Sequence, residues 1–183
     1  LPRVVGQVPL YYAHRNTGKP ASPASFLHID DIEARTPQAG LKNASQYLDA
    51  GYAPLYPFGY GLSYTSYAYS AITVEPSRAR VGVPITVRAV VKNVGTVAGD
   101  EVAQLYVRDL VGSVTRPVRE LKGFQRIHLE PGASRAVSFQ LSADDLAFYG
   151  RDMARAAEPG MFHAWIGGSS TADLRADFEL TAD

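Results

Sequence analysis

A chain of 183 residues can form one large domain, or a small domain with a substantial extension, and its 46% hydrophobic and 20% charged content is that of a folded chain rather than a disordered one. Eighteen Lys and Arg balance eighteen Asp and Glu, so no net field draws nucleic acid or an anionic membrane, and no apolar run reaches the roughly 18 residues of a membrane helix. With no cysteine, disulfides, zinc–thiolate centres, iron–sulfur clusters and thiol nucleophiles are excluded.

The chain opens Leu1-Pro2-Arg3 without a methionine and runs into Val4-Val5-Gly6-Gln7-Val8-Pro9-Leu10-Tyr11-Tyr12. This stretch reads as a strand entered from a preceding body, with a processed N-terminus as the alternative. Arg15-Asn16-Thr17-Gly18-Lys19-Pro20 is a turn, and residues 13–54, interrupted throughout by Gly, Pro and polar residues, read mostly as loop. A structureless stretch of that length is uncommon in a compact domain unless it is functional or held by other protein. Pro54-Leu55-Tyr56-Pro57-Phe58-Gly59-Tyr60-Gly61-Leu62-Ser63-Tyr64-Thr65 follows, an extended connector that packs its rings against something.

The pattern changes near residue 66. From Tyr67 onward, short period-two segments recur between turn signals, as in a β-sandwich. Ile85, Val87, Ala89 and Val91 alternate with Thr86, Arg88 and Lys92 until Asn93-Val94-Gly95 closes the strand. Ala103, Leu105 and Val107 alternate with Gln104, Tyr106 and Arg108; Val137, Phe139 and Leu141 follow the turn Glu130-Pro131-Gly132; Leu174, Ala176, Phe178 and Leu180 alternate with Asp173, Arg175, Asp177 and Glu179. Each pattern predicts one face in a core and the other in water. Further strands are expected at 67–75, 120–129 and 160–167, about seven in all. Only Ser142-Ala143-Asp144-Asp145-Leu146 reads as helical, a single turn with Ser142 as N-cap and Asp145 at the capping-box position.

The chemistry-bearing residues read as structural. Asp144 and Asp145 favour the amides of a helix start, and Asp30, Asp31 and Glu33 form a solvated turn in preference to a calcium or substrate site. His14, His28, His128 and His163 are scattered, with no partner at metal-ligand spacing. No Gly-x-Ser-x-Gly elbow is present, and Gly59-x-Gly61 lacks the third glycine and following helix of a dinucleotide fingerprint. No cofactor or metal site is expected. Tyr56, Phe58, Tyr60, Tyr64, Tyr67 and Tyr69 could stack on sugars, but packing at a domain interface is preferred. Trp165, the single tryptophan, reads as cover for a sheet edge in preference to a partner contact. Asn43-Ala44-Ser45 satisfies the glycosylation sequon and decides nothing.

Seven strings together resemble the C-terminal part of glycoside hydrolase family 3, the β-glucosidases and β-xylosidases. They are Val5-Gly6-Gln7-Val8-Pro9-Leu10-Tyr11-Tyr12, Asn16-Thr17-Gly18-Lys19-Pro20, Tyr47-Leu48-Asp49, the 54–65 connector, Arg116-Pro117-Val118-Arg119-Glu120-Leu121-Lys122-Gly123-Phe124, Leu129-Glu130-Pro131-Gly132 and Ala157-Glu158-Pro159-Gly160-Met161-Phe162. They occur in the family's order across nearly the whole chain. The resemblance implies a mainly β fold: residues 1–55 as the tail of an α/β-sandwich domain, 56–66 as connector and 67–183 as an immunoglobulin-like, fibronectin type III-like β-sandwich. It also implies a parent that hydrolyses terminal β-D-glucosyl residues with retention, through two carboxyl groups about 5–5.5 Å apart. Neither catalytic motif matches anything in this chain, so both would belong to the rest of the parent. The implied partners are those catalytic domains and, through them, a β-linked glycoside, in the periplasm or outside the cell. Within Lys42-Asn43-Ala44-Ser45-Gln46-Tyr47-Leu48-Asp49, Lys42 and Tyr47 would border the aglycone side of the cleft, although Gln46 stands where relatives often carry a basic residue. A non-catalytic carbohydrate-binding or interaction module is the competing reading.

Overall fold

The structure, a computed structural model, describes residues 1–7, 10–16, 26, 28–35 and 47–182. Ten strands and one helical turn lie between Tyr67 and Thr181, three strands more than the alternation reveals. They are β1 (Tyr67–Glu75), β2 (Arg78–Arg80), β3 (Ile85–Asn93), β4 (Gly99–Asp109), β5 (Glu120–Leu129), β6 (Ser134–Leu141), α1 (Ala143–Leu146), β7 (Phe148–Tyr149), β8 (Arg155–Ala156), β9 (Gly160–Gly167) and β10 (Arg175–Thr181). The additional three, β2, β7 and β8, have two or three residues each, too few to display a period.

Two sheets face one another. One has the order β1-β3-β6 and the other β2-β10-β9-β4-β5, while β7 and β8 form a separate small hairpin. Neighbouring strands are antiparallel except for β2 alongside β10. Ile85, Val87, Ala89 and Val91 of β3, with Val137, Phe139 and Leu141 of β6, form one wall of the core. Leu105 and Val107 of β4, Phe162 and Ile166 of β9, and Phe178 and Leu180 of β10 form the other. Phe162 and Phe178 stack with centroids 5.0 Å apart. The alternation in β3, β6 and β10 is therefore the alternation of a core face.

Asn93 ends β3 as expected, and the reason is chemical. Its fully buried amide donates to the carbonyls of Val97 and Leu129, while its oxygen accepts from Thr65 Oγ1 and the Gly95 N–H. The strand stops where one side chain satisfies the turn that follows. The helical turn is capped as predicted: Ser142 Oγ accepts from the Asp145 N–H, and the Asp145 carboxylate accepts from the Ser142 N–H.

Two expectations fail. The apolar run from Val4 is not a strand in its described part: the Gln7 N–H closes a turn onto the Val4 carbonyl, and Val5 is exposed. Among the described residues no strand pairs with it, and an unpaired strand leaves its amides and carbonyls unmatched. Nor does water cover the middle of the larger sheet's outer face, at β4 and β9. In β4 every residue from Ala103 to Val107 is buried, the supposedly solvated Gln104 and Tyr106 included.

Candidate functional site

What buries that outer face is the connector. The register places Gln104 between Phe124 of β5 and Gly167 of β9, and Tyr106 opposite Trp165, so these side chains share one surface. The connector crosses it at Gly59. Gln104 Nε2 donates to the Gly59 carbonyl (2.9 Å) and to the Gly168 carbonyl (2.8 Å), and Tyr106 Oη donates to Gln104 Oε1 (2.5 Å). One amide thus ties the connector to the loop after β9. Gly59 takes a φ of +78°, and a Cβ there would lie 2.0 Å from Gln104 Oε1. Both the left-handed backbone and the close approach require glycine.

The contact extends on either side. The Ser170 N–H donates to the Phe58 carbonyl (2.8 Å). Phe58 stacks on Tyr12 at 4.0 Å, and Tyr12 meets Tyr106 edge-on at 5.9 Å. The N-terminal arm is fastened to the same region: the Leu1 amino group donates to the Tyr56 carbonyl, the Leu55 N–H to the Leu1 carbonyl and the Val118 N–H to the His14 carbonyl. Burial raises the Tyr106 phenol above its ordinary range, with Tyr12 adding to the rise and Arg119 opposing it. It stays a neutral donor at any ordinary pH.

Trp165 corrects a further expectation. It lies on β9, the middle strand of its sheet, and covers no edge. The Arg119 guanidinium rests on the indole, 4.1 Å from its centroid, leaving the residue 8% exposed. Arg119 Nη1 also donates to the carbonyls of Ser170 and Ala172, and burial lowers the pKa of the guanidinium. Arg119 therefore braces the loop that holds Phe58. Gln104, Tyr106, Tyr12 and Arg119 have no place among the sequence-derived candidates; the signal available was a tyrosine and a glutamine on the nominally wet side of β4.

Beyond Gly59 the connector encloses a cleft of about 740 Å³ with residues 100–102, Gln104, 166–169 and 171–174. Its outer rings are uncovered: Phe58 is 47% exposed, Tyr60 51% and Tyr64 fully. The site is a clamp. In the cleft wall Tyr69 Oη donates to Glu101 Oε1 (2.6 Å), and the Tyr67 hydroxyl is buried without a partner.

The sequence-derived candidates lie elsewhere. Lys42, Gln46 and the Asn43–Ser45 sequon fall outside the described residues. Tyr47 is half-buried, its backbone paired in both directions with Gly51. Asp30 and Asp31 lie in the exposed 3-10 turn Ile29–Asp31, where His28 Nδ1 accepts from the Asp30 N–H. Among the described residues no group of three or more His, Asp or Glu could hold a metal ion.

A model of the fibronectin type III-like domain matches residues 101–170. The chain is similar to a periplasmic β-glucosidase of Salmonella typhimurium, with 41% identity over 98% of this chain and 22% of that protein. It is similar also to a putative β-xylosidase of Formosa agariphila, with 36% identity over 98% of this chain and 21% of the other. Among solved structures, the β-glucosidase from Listeria innocua in complex with glucose superposes with a TM-score of 0.80 at 32% identity, over 99% of this chain and 23% of that one. The chain thus spans about a fifth of the length of the relatives it matches.

Proposed function

This chain belongs to the β-glucosidase type of glycoside hydrolase family 3 and carries its fibronectin type III-like domain, and from that premise we propose that it braces the catalytic domains of such a hydrolase without supplying catalytic groups. The observation that carries the reading is the connector. Its backbone is pinned at Phe58 and Gly59, while Leu62 and Tyr64 stay almost wholly exposed and Phe58 and Tyr60, stacked on one face by Tyr12 and Tyr56 respectively, remain about half exposed, so apolar surface is held in place and left open. Rings presented in this way suit a protein interface.

On this reading residues 1–55 are the tail of an α/β-sandwich domain, 56–66 the connector and 67–183 the bracing sandwich. The whole enzyme removes terminal β-D-glucosyl residues with retention, and Lys42 and Tyr47 border the aglycone side of its cleft. Its place is the periplasm or the cell exterior, in keeping with the periplasmic relative. No helix among the described residues is long and apolar enough to cross a membrane. Saccharide binding on Trp165 finds no support, because Arg119 occupies the ring face.

The test is hydrolysis of an aryl β-glucoside by the purified 183-residue chain and by the same chain joined to the catalytic domains of a relative. Turnover by the joined protein alone is expected. Turnover by the 183 residues alone would overturn the reading.

A further inference from the structure

At the end of the sandwich where β4 passes into the 110–119 loop there is a second cleft, of about 600 Å³, unlike the first in chemistry. Arg15, Arg108, Arg116 and Arg151 line it together with Asp109 and Ser113. The loop is fastened from several sides. Glu158 accepts from the Ser113 N–H (2.8 Å) and hydroxyl (2.5 Å), Arg151 Nε donates to the Ser113 carbonyl (3.0 Å), and Asp109 Oδ1 accepts from the Val111 N–H (3.1 Å). Arg116 lies over the Phe148 ring at 4.2 Å and donates through Nη2 to Glu120 (2.8 Å).

Two polar atoms in this well-tied wall have no partner. Asp109, 7% exposed, leaves Oδ2 buried and unbonded, and Arg116 leaves Nε in the same condition. Both side chains border Gly112: a Cβ there would lie 3.2 Å from Asp109 Oδ2 and 3.0 Å from Arg116 Cγ, two bonds from Nε. An orphan acceptor and an orphan donor flanking one glycine suit a group that both donates and accepts, and a hydroxyl does both. Among the described residues the guanidinium groups of Arg15 and Arg108 make no ion pair, and guanidinium favours a carboxylate. Among the described residues no aromatic side chain lines the cleft, so they offer no stacking platform of the kind a neutral sugar uses. Burial holds the Asp109 carboxyl above its ordinary range, which suits a group that shares a proton with a hydroxyl.

We propose that this cleft binds a hydroxylated carboxylate, a uronic acid residue of a saccharide, with the carboxylate on Arg108 and its neighbouring arginines and a ring hydroxyl between Asp109 and Arg116. The volume holds one such residue with room for a second. The proposal rests on the cleft alone and does not depend on the bracing role.

The experiment is calorimetric titration of the 183-residue chain with glucuronate, glucose and inorganic phosphate, at low and high salt. Glucuronate should bind about tenfold or more tightly than glucose. R108Q and R151Q, neither of them in the hydrophobic core, should each weaken glucuronate several-fold, and D109N should weaken glucuronate but not phosphate. Equal binding of glucose and glucuronate, or none of either, overturns the proposal. Phosphate binding as tightly as glucuronate, with D109N affecting neither, overturns it in favour of a bare anion trap. Should D109N not fold, G112A, which intrudes on the same volume, is expected to produce the same selective loss.

Discussion

The two sheets of the sandwich share a core but not an outside. In β3 of the three-stranded sheet, burial alternates from Ile85 to Asn93, with Arg88 and Lys92 in solvent. In β4 and β9 of the five-stranded sheet, burial runs without a break from Ala103 to Val107 and from Ala164 to Gly167. The difference lies outside the strands: the connector, Tyr12 and Arg119 lie over the two strands β9 and β4, so these are packed on both faces as the strands of central sheets are. Strand alternation therefore reports where the core is. It does not report whether a second layer lies on the other side, and the second layer is where this molecule keeps its clamp.

Substitutions on the two outer faces should separate sharply. Tyr106→Ala removes a fully buried ring that touches Tyr12 and holds Gln104, and truncations of buried aromatics cost about 3–5 kcal/mol. Arg88→Ala, on the bare face, should change stability by less than about 0.5 kcal/mol beyond the exposed pair it makes with Glu75. Urea unfolding measures both, and equal losses would show that the outer layer adds no packing. Next in size is Gln104→Ala, which strips the carbonyls of Gly59 and Gly168 and the Tyr106 hydroxyl of their partner, at a cost of about 1–3 kcal/mol. Gly59→Ala should follow at about 1–2 kcal/mol, from the left-handed backbone it must keep. The clash with Gln104 adds to that, so in the Gln104→Ala background the cost of Gly59→Ala should shrink. Strict additivity would mean that the two residues do not meet.

These positions also mark how far the sequence could be read. The core strands were legible because β-branched and aromatic residues recur with period two, and the single helical turn because Ser142 and Asp145 stand three apart. The resemblance to the β-glucosidases was legible from ordered strings. The clamp was not, because Gln104 and Tyr106 are amphipathic residues that serve equally well in water or beneath a strap. Only the path of the connector decides between the two, and that path depends on contacts spanning 45 residues, as between Gly59 and Gln104. Trp165 was misplaced for the same reason: an outward ring on a strand reads as edge or partner contact until Arg119, distant in sequence, is seen lying on it.

The smallest effect is expected at the far edge of the five-stranded sheet, on β5, where an outward pair stays in solvent. His128 Nδ1 lies 2.6 Å from Asp100 Oδ1, and its Nε2 lies 3.5 Å from Glu130; Arg126 holds the other Asp100 oxygen. The hydrogen bond to Asp100 raises the His128 pKa, and the same bond, with Arg126, lowers that of Asp100. A raised histidine stabilises fully below its unfolded value of about 6.5 and loses the contribution as pH climbs through the folded value. A depressed carboxylate stabilises above its unfolded value of about 3.9 and loses the contribution as pH falls through the folded one. The pair is therefore strongest between those limits. The melting-temperature gap between the native protein and His128→Gln should be widest near about pH 5 to 6, narrow by about pH 9, and shrink in molar salt. A gap that ignores both pH and salt would mean that His128 acts by packing, in which case this exposed edge would resemble the covered face instead of contrasting with it.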